Sequence, residues 1–552
     1  MLDEYLLQHC GLRERQAAGG RPERVFDILM GGMPAGRELR GAVLVVPQSF
    51  PVGRLMIRVS KEHVLKVPHV EIDGAICFDG DAGPGANLSP EERIDDILLS
   101  FYRSFVKPWG YGELDTDFKR EAQTYWAIFV RNRRTKVDTI KAVCVTSKRL
   151  NVPIVSEAVL ALPLGWVVVG GDEFAKRVLA SLRERAAQVV KALVVQVPIP
   201  DDFVPSTWPT TSAEVEALLA QAFSADDAKR FSPQPGRKNV DRVVIFRSPS
   251  SDFAYLMPNG PPNVKTQGNR ELLFQVRGVV PLNVHRMDAE WTYGRYQHPE
   301  IAIRQTKHAV VFGAGALGAH VIDQLARAGV GRISIVDPDT MQPANIGRHV
   351  LGANSLGRSK AECVEREVGR TNPACVLKGY DLSAEAWLRG PSLLGVGHID
   401  MFVDVTGEPS VRAAVDEARR LRSAPLLIGW MEPFVAAAHV CQLVSNTAWL
   451  GGSQDRMKLL QAVTWPSDVM LREPSCNSEF QSYTAVAATH AVALVAEAAI
   501  ELLDGLVATS TVRSWVRGQR YLDKQWPGLS LLEWAQSAAP HDGLVIERPF
   551  DD

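Results

Sequence analysis

Apolar positions along the chain follow two periods. Short apolar runs rich in Val and Ile, each bounded by Gly, Pro, Asp or Asn, predict strands at 41–46, 55–59, 166–169, 193–197, 308–312, 332–336, 399–405 and 425–430. Helical spacing replaces them elsewhere. Ile94, Ile97, Leu98, Phe101 and Phe105 share one helix face, behind Ser89-Pro90-Glu91-Glu92, which offers an N-cap, a first-turn proline and a capping-box acid. Leu317, Val321, Leu325 and Ala328 share another face, ended by Gly329 and Gly331. Amphipathic helices are predicted over 172–191 and 212–223, and a long Ala/Val-rich helix over 483–503. Proline-rich stretches at 198–209, 232–235 and 258–262 mark loops. The expected organisation is an α/β chain in three parts. Residues 1–150 form an α+β domain, 151–285 an α/β linking domain, and 286–552 a Rossmann-like domain with a mostly parallel sheet.

Composition narrows the picture only a little. The chain has 552 residues, 46% hydrophobic and 22% charged, with a net charge of −2. That balance gives no support for a general nucleic-acid or membrane binder. The apolar run at 158–171 is too short to span a bilayer and contains Pro163, while His490, Glu497 and Glu501 mark 483–503 as a core helix. The first residues carry acids where a signal peptide needs bases, so a cytoplasmic protein is expected. Seven cysteines, widely spaced and without CxxC, indicate neither a disulfide framework nor structural zinc.

The chemistry concentrates after residue 308. The strand 308–312 runs into Gly313-Ala-Gly315-Ala-Leu-Gly318, then a helix, then a second strand ending at Asp337. That is the context a nucleotide-binding glycine turn requires. Gly313 allows the tight turn, Gly315 lets backbone N–H groups approach phosphate, and Gly318 lets helix and strand pack closely. Phosphate then sits at the positive helix end. Asp337 is placed for ribose hydroxyls. Asp339, Asn345, Arg348 and Lys360 follow. Such a cluster suits a triphosphate and developing phosphoryl charge better than a nicotinamide ring.

These residues resemble the ThiF/MoeB family and the ubiquitin-activating enzymes built on the same adenylation domain. The shared pattern is GxGxxG, a strand ending in D-x-D, N-x-x-R, then a basic residue, here Gly313, Gly315, Gly318, Asp337, Asp339, Asn345, Arg348 and Lys360. Arg295, in Trp291-Thr-Tyr-Gly-Arg295-Tyr, matches an arginine that in this family reaches ATP across a homodimer interface. The resemblance implies ATP and Mg²⁺ as ligands. The family's magnesium-binding Asp falls on Gly407, which leaves Asp404 or Glu408 for that role.

Two cysteines extend the resemblance. In the first part, Pro68-His69-Val70, Asp73-Gly74 and Cys77 ahead of a long helix are similar to a divergent ubiquitin-conjugating core, although the asparagine usual beside that proline is absent. Cys77 is then the acyl-carrying thiol. The plain alternative is a small buried cysteine in a strand. Cys476, in Glu473-Pro-Ser-Cys-Asn-Ser-Glu, precedes a long helix, where activating enzymes carry their acyl-accepting cysteine. Here the alternative is an inert loop cysteine. The whole resembles the conjugating–activating fusions of bacterial antiphage (CBASS) operons. It implies adenylation of a partner's C-terminal carboxylate, a thioester on Cys476, transfer to Cys77 and conjugation to a target lysine. The implied partner is a cyclic-oligonucleotide synthase or a ubiquitin-like protein. A sulfur-carrier adenylyltransferase, in which Cys77 has no acyl role, and a non-catalytic ATP-binding scaffold are the alternatives.

Overall fold

The computed structural model describes residues 4–15, 23–80, 87–133, 142–145, 154–162, 165–169, 173–182, 188–223, 242–257, 279–449, 460–466, 471–472, 479–480 and 483–550. Internal contacts divide the chain into two compact units. One comprises Met1–Gly171 and Ala187–His285, the other Asp172–Ala186 and Arg286–Asp552.

The first unit opens with an antiparallel four-stranded sheet in chain order: Arg13–Glu14, Arg24–Asp27, Val43–Val46 and Met56–Arg58. The helix Pro90–Phe101 lies on it, burying Ile94, Ile97 and Phe101 against Phe26, Leu44 and Ile57. Its start is the predicted one. The Ser89 hydroxyl accepts the Glu92 N–H at 3.1 Å and the Glu92 carboxylate accepts the Ser89 N–H at 2.7 Å. The next long helix, Ala122–Arg133, buries Tyr125, Trp126 and Phe129 among Val195, Phe246, Phe253 and Tyr255.

Those last residues belong to a closed barrel that the apolar pattern did not announce. Its seven strands are Ala142–Val145, Ile154–Leu162, Trp166–Val169, Gln188–Pro198, Arg242–Arg247, Asp252–Met257 and Val280–Arg286. The helix expected over 172–191 is a helix only at Glu173–Leu182, and Gln188 onward is strand. Buried Val194, Val195 and Val197 explain the switch, since β-branched side chains suit a pleated, buried surface.

The second unit holds an eight-stranded sheet. Val376–Tyr380, Arg332–Val336, His308–Phe312, Met401–Asp404 and Leu426–Met431 run parallel in that order. Ala437–Leu443, Thr511–Val516 and Leu544–Pro549 extend it antiparallel. Both faces of the sheet are covered. Ala309 and Val311 face one core with the helix Gly318–Arg327, and Val310 and Phe312 face the other with Trp387 and Val415. This two-sided burial is why the central strands read as unbroken apolar runs.

The helix Ala485–Leu503 is long and apolar enough to cross a membrane by composition. It packs instead on the sheet beside Ala438, Val440 and Leu427, with Ala491, Val495, Ala498 and Ala499 fully buried. His490 stacks on Trp515 at 4.2 Å.

One buried carboxylate ties down an irregular segment. Glu432 accepts from His439 Nε2 at 2.7 Å, from the Trp465 indole at 2.6 Å, and from the backbone N–H groups of Ala462 and Val463. Four donors on one carboxylate fix residues 460–466 to the sheet.

Candidate active site

The glycine turn sits where the central strand leaves the sheet. Gly313 has φ +92°, which only glycine adopts without strain, and its N–H donates to the Val336 carbonyl at 2.9 Å. A Cβ on Gly318 would stand 1.9 Å from the Gly313 carbonyl oxygen, so the helix start and the turn approach as closely as backbone allows. A Cβ on Gly315 would meet nothing within 4 Å. Gly315 thus borders open space beside the positive end of the helix Gly318–Arg327, where an anion is favoured.

Ala314, between the two glycines, is held from both sides. Asp337 Oδ2 accepts its N–H at 2.6 Å, and His349 Nε2 donates to its carbonyl at 2.6 Å. The tautomer of His349 follows from its other nitrogen. Nδ1 accepts the Leu351 N–H at 3.1 Å, so the proton lies on Nε2 and the ring is neutral. Burial holds the His349 pKa below the ordinary value, and the nearby Lys360 charge adds to this. No motif in the sequence includes His349. Its position next to Arg348 was the available signal, but nothing in the spacing said where its ring would point.

Asp337 is 6% exposed. Its second oxygen accepts the Asp339 N–H at 2.8 Å. Burial pushes its carboxyl above the usual range, while the two N–H groups and Lys360 pull the other way. Each oxygen keeps a second lone-pair direction for a ribose hydroxyl. Lys360 begins the helix Lys360–Thr371, capped by Ser359. Its Nζ meets Asp339 Oδ2 at 2.8 Å and its N–H donates to the Asp339 carbonyl. Asn345 Oδ1 accepts the Gln342 N–H at 2.9 Å, shaping the short turn that carries Arg348. The Arg348 guanidinium lies over the Tyr483 ring at 5.2 Å. Thus Gly313, Gly318, Asp337, Asp339 and Lys360 form one connected group, with Asn345 and Arg348 on the adjoining turn.

The strand end next door carries Asp404, paired in register with Phe312. Asp404 is 1% exposed, and its Oδ1 accepts both the N–H and the hydroxyl of Thr406, at 2.9 and 2.7 Å. Gly407 follows with φ +79° and open space where a Cβ would stand. Asp404 and Glu408 offer the hard oxygen donors that suit magnesium, which takes one or two protein carboxylates and completes its shell with phosphate and water.

Arg295 is exposed, and both it and Tyr296 have positive φ, +46° and +61°. Cys77 is also exposed, at the end of a tight hairpin, and its N–H donates to the His69 carbonyl at 2.8 Å. Cys441, Cys144, Cys363 and Cys375 are buried. Cys476 lies outside the described residues.

Residues 300–511 match the ThiF family. Similarity to the ATP-dependent ubiquitin transferase-like protein Cap2 of Pseudomonas aeruginosa extends much further, at 23% identity over 83% of this chain and 84% of that protein. The adenylyltransferase and sulfurtransferase UBA4 of Yarrowia lipolytica is 32% identical over 24% of this chain, which spans 36% of that protein. E. coli MccB, solved with ATP, is 20% identical over 38% of this chain and 61% of its own, with a TM-score of 0.30. The glycine turn, the D-x-D strand end and the N-x-x-R turn all fall inside the matched region, and the C-terminal part of this chain is a ThiF family domain with a Rossmann-like α/β fold.

Proposed function

We propose that the protein activates the C-terminal carboxylate of a partner protein with ATP and passes the acyl group by thioesters to a lysine amine. Residues 286–552 are the adenylation domain, and the conjugating-like domain, expected over 1–150, ends before the barrel strand Ala142–Val145, which belongs with the link to residue 285. The observation that carries this reading is the clamped Gly313–Gly318 turn with Asp337, Lys360 and Arg348 around it, in a chain similar to a ubiquitin transferase-like protein over most of its length.

The partner's carboxylate attacks the α-phosphate, forming an acyl adenylate and releasing pyrophosphate. Backbone N–H groups of the turn and the cations of Lys360, Arg348 and Arg295 offset the negative charge that gathers on the phosphates. Arg295 supplies its charge to the second protomer of a homodimer. Asn345 holds the Arg348 turn in shape. Asp337 and Asp339 orient the ribose side. Asp404, with Glu408 beside it, would hold the magnesium ion, which supplies charge neutralisation on the phosphates. The Cys476 thiolate then displaces AMP, and Cys77 takes the acyl group by transthiolation.

The partner is read as a cytoplasmic protein with a free C-terminus, a cyclic-oligonucleotide synthase of an antiphage system or a ubiquitin-like protein. Similarity to a ubiquitin transferase-like protein supports a protein substrate. The short matches to sulfur-carrier adenylyltransferases sustain a second reading, in which Cys77 carries no acyl group.

Incubation with Mg–ATP and the proteins encoded beside this one, followed by non-reducing gels, separates the readings. Thioesters lost in both Cys476→Ala and Cys77→Ala support conjugation. Loss in Cys476→Ala alone favours sulfur transfer. No ATP–pyrophosphate exchange with any such partner would sink both.

A further inference from the structure

The hairpin before Cys77 is built around a strained histidine. Val70 and Ile76 form an antiparallel bridge, and the Cys77 N–H donates to the His69 carbonyl. His69 is therefore the residue opposite Cys77 across the hairpin. The left-handed backbone of His69 takes it out of the pleat, and the contact joining the two residues is that one backbone hydrogen bond, at 2.8 Å. His69 also has φ +60°, an uncommon conformation for a residue with a side chain. Its main chain is held there from the other side, because the Tyr125 hydroxyl accepts the His69 N–H at 2.9 Å and itself donates to Glu121 Oε2 at 3.2 Å. Backbone strain fixed this firmly beside a thiol points to a working residue.

The ring is fixed as well. Nε2 stands 3.0 Å from Asp117 Oδ2, and Nδ1 3.7 Å from Glu121 Oε2. Asp117 is the closer partner and accepts an N–H, so the neutral ring carries its proton on Nε2 and a lone pair on Nδ1. If Nδ1 gains a proton, that new N–H faces Glu121. Asp117 and Glu121 face this ring, with Arg120 on the other Asp117 oxygen at 3.4 Å, while Tyr125 holds the His69 main chain. A histidine held by one carboxylate, with a second waiting for the imidazolium, is arranged to take up a proton.

We infer that His69 is the proton acceptor for acyl transfer from Cys77 to an amine, with Asp117 as its positioning residue. The inference rests on the proposed acyl role of Cys77. In the step, the amine nitrogen forms a bond to the thioester carbonyl carbon and the C–S bond breaks. The Cys77 sulfur leaves with the electron pair, and the surplus amine proton goes to His69 Nδ1. Asp117 and Glu121 then stabilise the imidazolium until it returns the proton to the thiolate or to water. The same carboxylates favour the approach of a cationic lysine side chain.

The test needs neither ATP nor the natural partner. Full-length protein carrying Cys476→Ala is charged with a synthetic peptide α-thioester of mercaptoethanesulfonate, and peptide mapping by mass spectrometry locates the acyl group. Free lysine is then added, and the rate constant for loss of the preformed Cys77 thioester is measured from pH 7 to 9.5. The rate constant does not depend on how much was loaded. His69→Gln is expected to slow transfer at least tenfold at pH 7, with the deficit narrowing as pH rises and the free amine sheds its own proton. Asp117→Asn should show a smaller loss with the same narrowing, and it covers the case in which His69→Gln fails to fold. Transfer by His69→Gln within twofold of the parent overturns the inference and leaves the acyl role of Cys77 standing. A deficit that is equal at every pH also overturns it, since a structural role would act that way. Failure of the parent to hold any acyl group on Cys77 overturns both.

Discussion

Replacing His349 by Ala tests whether the glycine turn depends on a side chain that no motif includes. The substitution removes the donor to the Ala314 carbonyl and the acceptor for the Leu351 N–H, both within a region where His349 is only 9% exposed. Leaving such groups without partners costs about 1–3 kcal/mol each. Part of that cost falls on global stability. The part borne by the turn is regained only if ATP binding orders it, and 1–3 kcal/mol there corresponds to roughly 5- to 150-fold weaker ATP binding. Titration calorimetry with ATP gives the affinity, and thermal melting gives the stability of the same sample. His349→Gln, whose amide can still donate to Ala314, should recover much of the affinity.

The pH dependence carries the same signature. Burial lowers the His349 pKa from the ordinary value of about 6.5. The unfolded chain therefore takes up this proton first as pH falls. The stabilisation is fully present above about 6.5 and is lost below it, down to the lowered folded value. Protonation would also set an Nδ1–H against the Leu351 N–H. Stability should thus fall below pH 6.5 in the parent, ATP affinity should fall only at the lower pH where the folded ring takes up its proton, and both should stay flatter in His349→Ala. A folded His349→Ala protein that binds ATP within twofold of the parent at pH 7.5 would refute the clamp.

Gly315→Ala should fold with a melting temperature close to the parent, because its Cβ meets no atom, yet lose ATP binding as the methyl enters the phosphate approach. Gly318→Ala should instead fail to yield stable protein, its Cβ standing 1.9 Å from backbone, and thermal melting of the pair separates the two effects. Asp337→Asn keeps one acceptor but turns an NH₂ toward a backbone N–H, so pyrophosphate exchange should drop at least a hundredfold while circular dichroism stays native. Glu432→Leu strips the acceptor from four donors, at about 1–3 kcal/mol each, and should lower the melting temperature, read by calorimetry, by about 10 °C or more.

How far each feature could be read from the sequence depends on how far apart in the chain its partners lie. The Gly313–Gly318 turn was legible because its partners are neighbours: strand, turn and helix are contiguous, and each glycine answers a backbone constraint set within a few residues. The Ser89 cap and the Asp73-Gly74 turn were legible for the same reason. The barrel was not. Its strands Ala142–Val145 and Val280–Arg286 lie far apart in sequence, and closure depends on which edges meet, a property that no single run of valines encodes. The clamp on Ala314 stands between these cases. Asp337 could be picked out by its place at a strand end. His349 could not, because its role is fixed by a loop returning under the turn. His69 shows the same limit, since it stood out within Pro68-His69-Val70 but neither its place opposite Cys77 nor its hold by Asp117 and Tyr125, from the following helices, was legible.

Gly407 turns this argument around. From sequence it reads as the loss of a magnesium ligand, and a loss of that kind usually follows a change in packing. The structure removes that explanation. Nothing stands within 4 Å of the missing Cβ, and Asp is among the residues that tolerate a left-handed backbone of the kind Gly407 adopts. Glycine at this position therefore changes the charge set beside the turn without a packing cause, and what it answers is the left-handed backbone, which Asp would adopt at some strain. It leaves Asp404 buried and committed through one oxygen to Thr406, and Glu408 exposed at the start of the helix Pro409–Arg420. Of the two, only Glu408 is exposed. The magnesium concentration for half-maximal pyrophosphate exchange should accordingly rise severalfold in Glu408→Gln. An unchanged magnesium requirement in that variant would leave Asp404 to hold the ion without Glu408.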